Sequence, residues 1–266
     1  MNTCKINDIH RHSYDLGRVF GELAQPYEFC FYSVQEWLHI ASGVMGVDFD
    51  SGRFDTCWMY CKNIGEYEDK KSELLSSLIH QLTTFNFIWG SLETLINIIN
   101  PEPAPGVRGK INATCYFLKN HYEPKPNLPF YNNVVSDLRE DICSNVFYKK
   151  LNAEFKLRPH VGVSSIGLYI VYKIRNHFAH GSLSLPEPDL DASGQQESSD
   201  WKIINLSSRV VLLTIQALLL TILEKESAKI DFYNEETELN NLLWHLHLQH
   251  ETDENQLSFK CLQEIS

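Results

Sequence analysis

Long apolar runs are the first feature that this sequence lacks, because no stretch of about eighteen consecutive apolar residues occurs in it. The most apolar segment covers residues 210–223, and Thr214, Gln216 and Thr221 interrupt it. This segment predicts a helix buried in a protein core and not one that crosses a membrane. The first ten residues also lack the apolar centre of a signal peptide. We therefore expect a cytoplasmic protein with no membrane partner.

Paired cysteines are also missing. The seven cysteines are scattered and include no C-x2-C pair, which favours reduced thiols and argues against a structural zinc site. Cys57 and Cys61 would lie one helical turn apart, but no nearby histidine or second cysteine pair completes a ligand set. His245, His247 and His250 follow a leucine-rich stretch and are better explained as polar positions of a half-buried helix. We expect no metal ion and no cofactor.

An excess of basic residues is missing as well, since 23 basic and 34 acidic side chains give a net charge of −11. This balance argues against a protein that coats nucleic acid broadly. The charges are unevenly distributed, because residues 101–180 hold eleven Lys or Arg and six Asp or Glu, a balance of +5, and the remainder carries −16. A basic middle in an acidic chain suits a confined phosphate-binding groove, although a chance asymmetry of solvated surfaces would give the same counts.

Helical periodicity is what the sequence does contain. Apolar residues recur at three- and four-residue intervals across residues 66–100, and the proline-rich segment that follows ends this predicted helix. Further helices are predicted over residues 109–121, 131–155, 161–180, 205–227 and 232–249. The predicted fold class is therefore an all-α helical bundle with an N-terminal accessory segment.

The same pattern divides the chain into three parts. Residues 1–66 form an accessory segment of mixed or short helical structure, in which residues 44–50 could be a strand and a turn. Residues 67–251 form the helical domain, which contains a flexible acidic loop at 182–200. Residues 252–266 are a polar tail.

The most informative pattern lies at the end of the helix predicted over residues 161–180. There Arg175 is followed by Asn176 and, five positions after the arginine, by His180. The planar charge of a guanidinium fits phosphate oxygens, and an imidazole can take or give a proton near neutral pH. Cleavage of RNA without a metal ion requires those two abilities together.

Four-residue repeats give this helix two faces. The apolar face consists of Ile166, Ile170, Ile174 and Phe178. The second face places Tyr172, Asn176 and His180 on one side, and Arg175 is rotated away from His180 although its long side chain can return to the same cleft. Gly181 then ends the helix. The structural alternative is that the arginine and the histidine only stabilise the helix dipole and the last carbonyl groups.

The segment resembles the R-x(4–6)-H motif of the HEPN superfamily, many of whose members are ribonucleases, and Asn176 matches the polar residue that follows the family's arginine. Glu93 stands where the long early helix of HEPN domains often carries an acidic residue. The resemblance covers residues 67–250. It implies a metal-independent endoribonuclease with RNA as substrate, tRNA being a common target, and a homodimer whose two motifs meet across a two-fold axis.

The resemblance also implies roles for single residues. His180 is expected to act as general base or acid, Arg175 to hold the scissile phosphate, and Asn176 to orient the phosphate or the histidine. The remaining residues expected to line the RNA site are Lys173, His177, Tyr172 and Glu93.

Family members of this kind include toxins and antiviral-defence effectors, which implies an antitoxin or a defence complex as partner. Some HEPN toxins carry a tyrosine two residues after the motif histidine, and a partner nucleotidyltransferase modifies it. Ser182 stands at that position, so another partner, residues 1–66 or the acidic loop would have to restrain this chain. The alternative function is a noncatalytic HEPN-like dimeric scaffold that binds a nucleotide or a protein partner.

Overall fold

The computed structural model describes residues 6–24, 30–54, 62–122, 126–145, 158–181, 185–189, 199–223 and 229–249. These residues form eight α-helices and one two-stranded hairpin, which confirms the predicted all-α fold class. The helices are α1 (Ile9–Ala24), α2 (Tyr32–Gly43), α3 (Lys62–Ile99), α4 (Lys110–His121), α5 (Tyr131–Ser144), α6 (Ile166–Ala179), α7 (Ser199–Ile222) and α8 (Leu239–His245). The strands are β1 (Lys229–Phe232) and β2 (Glu235–Glu238).

Helix α7 lies at the centre of the bundle. It contacts α1, α3, α4, α5, α6 and α8, and its apolar residues from Val210 to Leu219 are almost fully buried. The helical segment of residues 200–222 is long and apolar enough to cross a membrane, by length and composition alone. However, 83% of its most apolar 18-residue window is buried inside the fold. A helix that is apolar all round is typical of a protein core, so the predicted buried helix is confirmed.

Helix α3 is the longest element and the frame of the bundle. Its 38 residues span about 57 Å at 1.5 Å per residue. The helix begins at Lys62, five residues before the predicted start of the helical domain, and ends at Ile99 immediately before the proline-rich segment. Asn100 then takes a left-handed conformation with φ of 46°, which turns the chain away from the helix axis.

The N-terminal accessory segment contains α1 and α2, which pack on each other. Helix α2 also packs on α3, and α1 packs on α7 and β1. Leu16, Phe20 and Leu38 from these two helices belong to the same buried core as α3 and α7. The strand expected over residues 44–50 is wrong, because these residues form no regular secondary structure. The Phe49 N–H donates to Ser76 Oγ on α3 at 2.9 Å, so this backbone group bonds to a side chain and not to the backbone of a neighbouring strand.

Two other predicted helices need correction. The helix predicted over 131–155 ends at Ser144, because Asn145 is extended with φ of −85° and ψ of 123°. The helix predicted over 232–249 is replaced by the hairpin β1–β2 and the short helix α8. Lys229 to Phe232 alternate between exposed and buried positions, which is a strand pattern, and Tyr233 and Asn234 both have positive φ. Two consecutive residues with positive φ are typical of a tight hairpin turn.

A buried hydrogen-bonded chain of side chains joins α1, α7 and the end of the described chain. His12 Nε2 donates to Gln216 Oε1 at 2.9 Å, and Gln216 Nε2 donates to His247 Nδ1 at 3.0 Å and to the carbonyl of Leu243. His247 Nε2 then donates to the carbonyl of Pro129 at 2.9 Å. Since His247 Nδ1 accepts from the Gln216 amide, the His247 ring has to be neutral.

Acid is expected to destabilise the fold through His12 and His247. Burial lowers the pKa of His12 to about 3 and that of His247 to about 4. Both pKa values are close to about 6.5 in an unfolded chain, so the stabilisation is complete above about pH 6.5 and is lost as the pH falls toward about 4. The expected loss is up to about 1.4 kcal/mol per pH unit for each ring, measured by urea unfolding between about pH 7.5 and pH 4.5.

The control is the double variant His12→Gln with His247→Gln, which cannot titrate in this range. Its free energy of unfolding is expected to depend less steeply on pH than that of the unmodified chain. Equal slopes for the two proteins would contradict this account of acid sensitivity.

Candidate active site

Helix α6 presents the motif by burying its opposite face. Ile170 and Ile174 are fully buried, and Ile166 and Phe178 are partly buried against the core, which confirms the predicted apolar face. The ring of Phe178 meets that of Phe85 on α3 edge-on, with 6.5 Å between the ring centres. Phe178 therefore links the motif end of α6 to α3 through a side-chain contact.

The guanidinium of Arg175 lies over the indole ring of the buried residue Trp89. The Arg175 Cζ atom lies 6.0 Å from the ring centre of Trp89, at the outer limit of a cation–π contact. The Trp89 Nε1–H donates to Glu93 Oε1 at 2.6 Å, one helical turn further along α3. Arg175 is half-buried, and its guanidinium forms no ion pair or hydrogen bond with any residue that the structure describes. Its five N–H donors are thus available to an anion.

His180 lies at the end of α6 and is exposed. Its backbone N–H donates to the Asn176 carbonyl at 3.1 Å, and the Gly181 N–H donates to the Phe178 carbonyl at 3.0 Å. Gly181 has φ of +69°, a conformation that favours glycine, so the predicted end of the helix is confirmed. Within the described parts of the chain, the side chains of His180 and Asn176 form no hydrogen bond.

The other predicted site residues lie on different sides of α6. Tyr172 faces α3 and α4 and lines a cleft there together with Glu93. Lys173 does not line that cleft, and its Nζ atom lies 5.6 Å from the ring centre of Tyr169. His177 is half-buried in the last turn. The structure therefore places Tyr172, Arg175 and Glu93 where α6 meets α3, whereas Lys173 contacts Tyr169.

Arg175 and His180 do not contact each other within this chain. Five residues correspond to about 500° of helix rotation, so the two side chains leave α6 about 140° apart. Arg175 turns toward Trp89 on α3, whereas His180 follows the last helical residue and faces solvent. Each of the two side chains can contact a ligand from solvent. Within a single chain they cannot both contact the same phosphate oxygen.

The cleft beside Arg175 is formed by α3, α4 and α6, is open to solvent and has a volume of about 80 Å³. Its lining consists of Glu93, Ile96, Gly109, Lys110, Ile111, Asn112 and Tyr172. Lys110 Nζ donates to Asn97 Oδ1 at 2.5 Å, and Asn112 Nδ2 donates to the Arg108 carbonyl at 2.7 Å. Two of its polar side chains are therefore held in place by neighbours on the protein.

His160 supports the far wall of this cleft as a neutral ring. Its Nε2 atom donates to Asn112 Oδ1 at 3.2 Å. Burial, with the nearby charges of Arg158 and Lys119, lowers the pKa of His160, so the ring is neutral at physiological pH. The imidazole therefore orients the Asn112 amide without adding charge to the cleft.

Residues 185–189 of the predicted acidic loop lie away from Arg175. The Tyr67 hydroxyl hydrogen-bonds to a Glu187 carboxylate oxygen, and Lys70 Nζ donates to the Asp189 carbonyl at 3.4 Å. Tyr67 precedes Phe85 by eighteen residues, which is about 27 Å along α3. The described part of the loop thus continues along α3 toward its N-terminal end and does not cover the guanidinium.

Sequence reasoning missed Trp89 as the residue that positions Arg175. Trp89 belongs to the apolar stripe of α3, and its spacing from Glu93 is one helical turn. That spacing is compatible with a hydrogen bond between the two side chains on one helix. No pattern in the sequence links Trp89 to an arginine 86 positions later.

Among the described residues, no group of three or more His, Cys, Asp or Glu side chains is placed to hold a metal ion. Cys57, Cys61 and His250 lie outside the described residues, whereas Cys30, Cys115 and Cys143 are free thiols. Comparison with models of protein families, with curated proteins and with solved structures finds no match for this chain. The resemblance to HEPN proteins therefore depends on the residues of the motif and their surroundings.

The hydrogen bond between Trp89 and Glu93 gives a direct test of how Arg175 is positioned. Glu93→Ala leaves the indole N–H without its acceptor and is expected to lower the free energy of unfolding by about 1 kcal/mol. Glu93→Gln retains an acceptor oxygen and is the matched control, with a smaller expected loss. Urea unfolding measures both, and equal losses in the two variants would contradict a role for this hydrogen bond.

Proposed function

We propose that this chain is a metal-independent endoribonuclease of the HEPN type that cleaves RNA, with tRNA as a substrate. The observation that carries the proposal is the position of the half-buried residue Arg175. Its guanidinium lies over the Trp89 ring and has no acidic partner among the described residues. Arginine in folded proteins is commonly paired when it leaves bulk water. An arginine held in place with free donors is suited to bind a phosphate of the substrate.

In the proposed reaction, the RNA supplies its own nucleophile. The 2′-hydroxyl oxygen beside the scissile phosphate attacks phosphorus, and the bond from phosphorus to the 5′-oxygen breaks. One histidine takes the proton of the 2′-hydroxyl, and the protonated histidine of the second copy gives a proton to the departing 5′-oxygen. The products are a 2′,3′-cyclic phosphate and a 5′-hydroxyl, and no atom or electron has to come from a metal ion or a cofactor.

His180 is the proton-transfer residue in this proposal, because it is exposed and its side chain has no hydrogen bond within the described chain. Arg175 holds the non-bridging oxygens and stabilises the charge that they gain in the transition state. Asn176 adds an amide beside the histidine to orient the phosphate. Arg175 and His180 leave α6 in different directions, which supports a homodimer in which the second copy completes the site.

The biological role that fits this activity is that of a cytoplasmic toxin or antiviral-defence effector. A ribonuclease without restraint would damage its own cell, so we propose an antitoxin or a defence-complex partner. The tyrosine that some family toxins use for such control is replaced by Ser182, whose position lies outside the described residues.

Cleavage of purified total tRNA in EDTA tests the proposal. His180→Ala and Arg175→Ala are each expected to lower the cleavage rate by about 100-fold or more without changing the free energy of unfolding by more than about 1 kcal/mol. His121→Ala and Arg139→Ala are matched controls, since both residues are exposed on α4 and α5, and they are expected to cleave at the unmodified rate. A retained rate in either motif variant would overturn the assignment.

A further inference from the structure

We propose that the cleft between α3, α4 and α6 binds one base of single-stranded RNA and prefers bases that carry an exocyclic amine over uracil. The proposal rests on the proposed function, because it names a subsite next to the phosphate that Arg175 would hold. The cleft has its own lining residues, however, so that its binding can be measured separately from cleavage.

The walls of the cleft suit a flat and partly apolar ligand. Ile96 and Ile111 are buried residues that present apolar atoms to the cleft, and the half-buried side chain of Tyr172 lines it from α6. Bases of single-stranded RNA bind by stacking and apolar contact with side chains of this kind, because every base has an apolar face. The cleft offers only about 80 Å³, well below the range for sites that enclose a small molecule, so one edge of a base enters it and the rest of the ring stays outside.

The polar groups of the cleft are of two kinds. Lys110 and Asn112 are already engaged, with Asn97 and with Arg108 and His160 respectively. Glu93 uses one carboxylate oxygen to accept from Trp89, and its second oxygen and the Tyr172 hydroxyl form no hydrogen bond within the part of the chain that the structure describes. An exposed carboxylate oxygen and a tyrosine hydroxyl are therefore the groups left to recognise a ligand.

The free carboxylate oxygen of Glu93 determines which bases fit. A carboxylate only accepts hydrogen bonds, so it pairs with an exocyclic amine such as those of adenine, cytosine and guanine. Uracil has no such amine, and its single ring N–H lies between two carbonyl oxygens that a carboxylate repels. The cleft is expected to bind uracil less tightly for this reason.

The position of the cleft connects base binding to Arg175. Tyr172 and Arg175 are three residues apart on α6, which places them on neighbouring turns about 5–6 Å apart. Glu93 both lines the cleft and holds Trp89, on which Arg175 stands. A base in the cleft therefore places an adjoining phosphate of the same strand next to the guanidinium.

The test is binding of short fluorescent oligonucleotides of adenine, cytosine or uracil to the full chain, followed by anisotropy. Every sugar carries a 2′-O-methyl group, so the strand lacks the nucleophile and cannot be cut. The unmodified chain is expected to bind the adenine and cytosine strands about five-fold or more tightly than the uracil strand. Glu93→Gln keeps the acceptor for Trp89 but presents an amide N–H to the base, and its affinities are expected to fall within about two-fold of each other.

Two further variants separate contact from folding. Tyr172→Ala is expected to weaken binding of all three strands about ten-fold, whereas Tyr172→Phe retains the ring and most of the affinity. Glu140→Gln on α5 removes an exposed carboxylate far from the cleft and is expected to bind as the unmodified chain does. Thermal unfolding of each variant confirms that it is folded at the titration temperature.

Equal binding of adenine and uracil strands by the unmodified chain would overturn the proposal, and so would an unchanged preference in Glu93→Gln or the absence of binding. Failure of the proposed function gives a different result. In that case the base preference and its loss in Glu93→Gln remain, while unmodified tRNA is not cleaved in EDTA. Cleavage without a base preference would remove only the cleft from the account.

Discussion

The contact between α3 and α6 is the constraint on which the candidate site depends. Phe178 packs edge-on against Phe85, and Arg175 stands on Trp89 one helical turn further along α3. Phe85 precedes Trp89 on α3 whereas Phe178 follows Arg175 on α6, so the two contacts pair the helices in opposite chain directions. This arrangement positions Arg175 by packing on a buried ring and leaves its N–H groups free of an acidic partner in the described chain.

The charge distribution gives this arrangement its chemical meaning. The chain as a whole carries −11, yet residues 101–180, which contain the motif, carry +5. Lys110 lines the cleft at the start of α4, and Arg175 lies three residues beyond the cleft residue Tyr172 on α6. An acidic surface elsewhere discourages broad binding of nucleic acid, whereas a small basic region next to an apolar cleft favours a single strand that enters one site.

The parts of the structure that follow from local spacing could be predicted from the sequence. The four-residue repeat from Ile166 to Phe178 indicated the buried face of α6, and the apolar run at 210–223 indicated a core helix. The hairpin after residue 229 was missed, because its four-residue strands are too short to outweigh a leucine-rich helical pattern nearby. The two residues of its turn, Tyr233 and Asn234, also lack the glycine that usually signals such a turn.

The candidate site could be predicted only in part, because only some of its contacts lie within one helix. Arg175, Asn176 and His180 are close in sequence, and their spacing on one helix could be read directly. The support of Arg175 by Trp89 and the cleft shared by Glu93, Asn112 and Tyr172 depend on how three helices pack. Such contacts between distant residues are set by the tertiary fold, and no local pattern in a single sequence records them.

In the proposed reaction the RNA provides its own nucleophile, while Arg175 holds the phosphate and His180 moves the protons. The most direct measurement is mass spectrometry of the fragment ends after the chain has acted on tRNA in EDTA. The account predicts 2′,3′-cyclic phosphate and 5′-hydroxyl ends. Fragments with 3′-hydroxyl and 5′-phosphate ends would contradict it, because they require water or another nucleophile to attack from the opposite side of the phosphate.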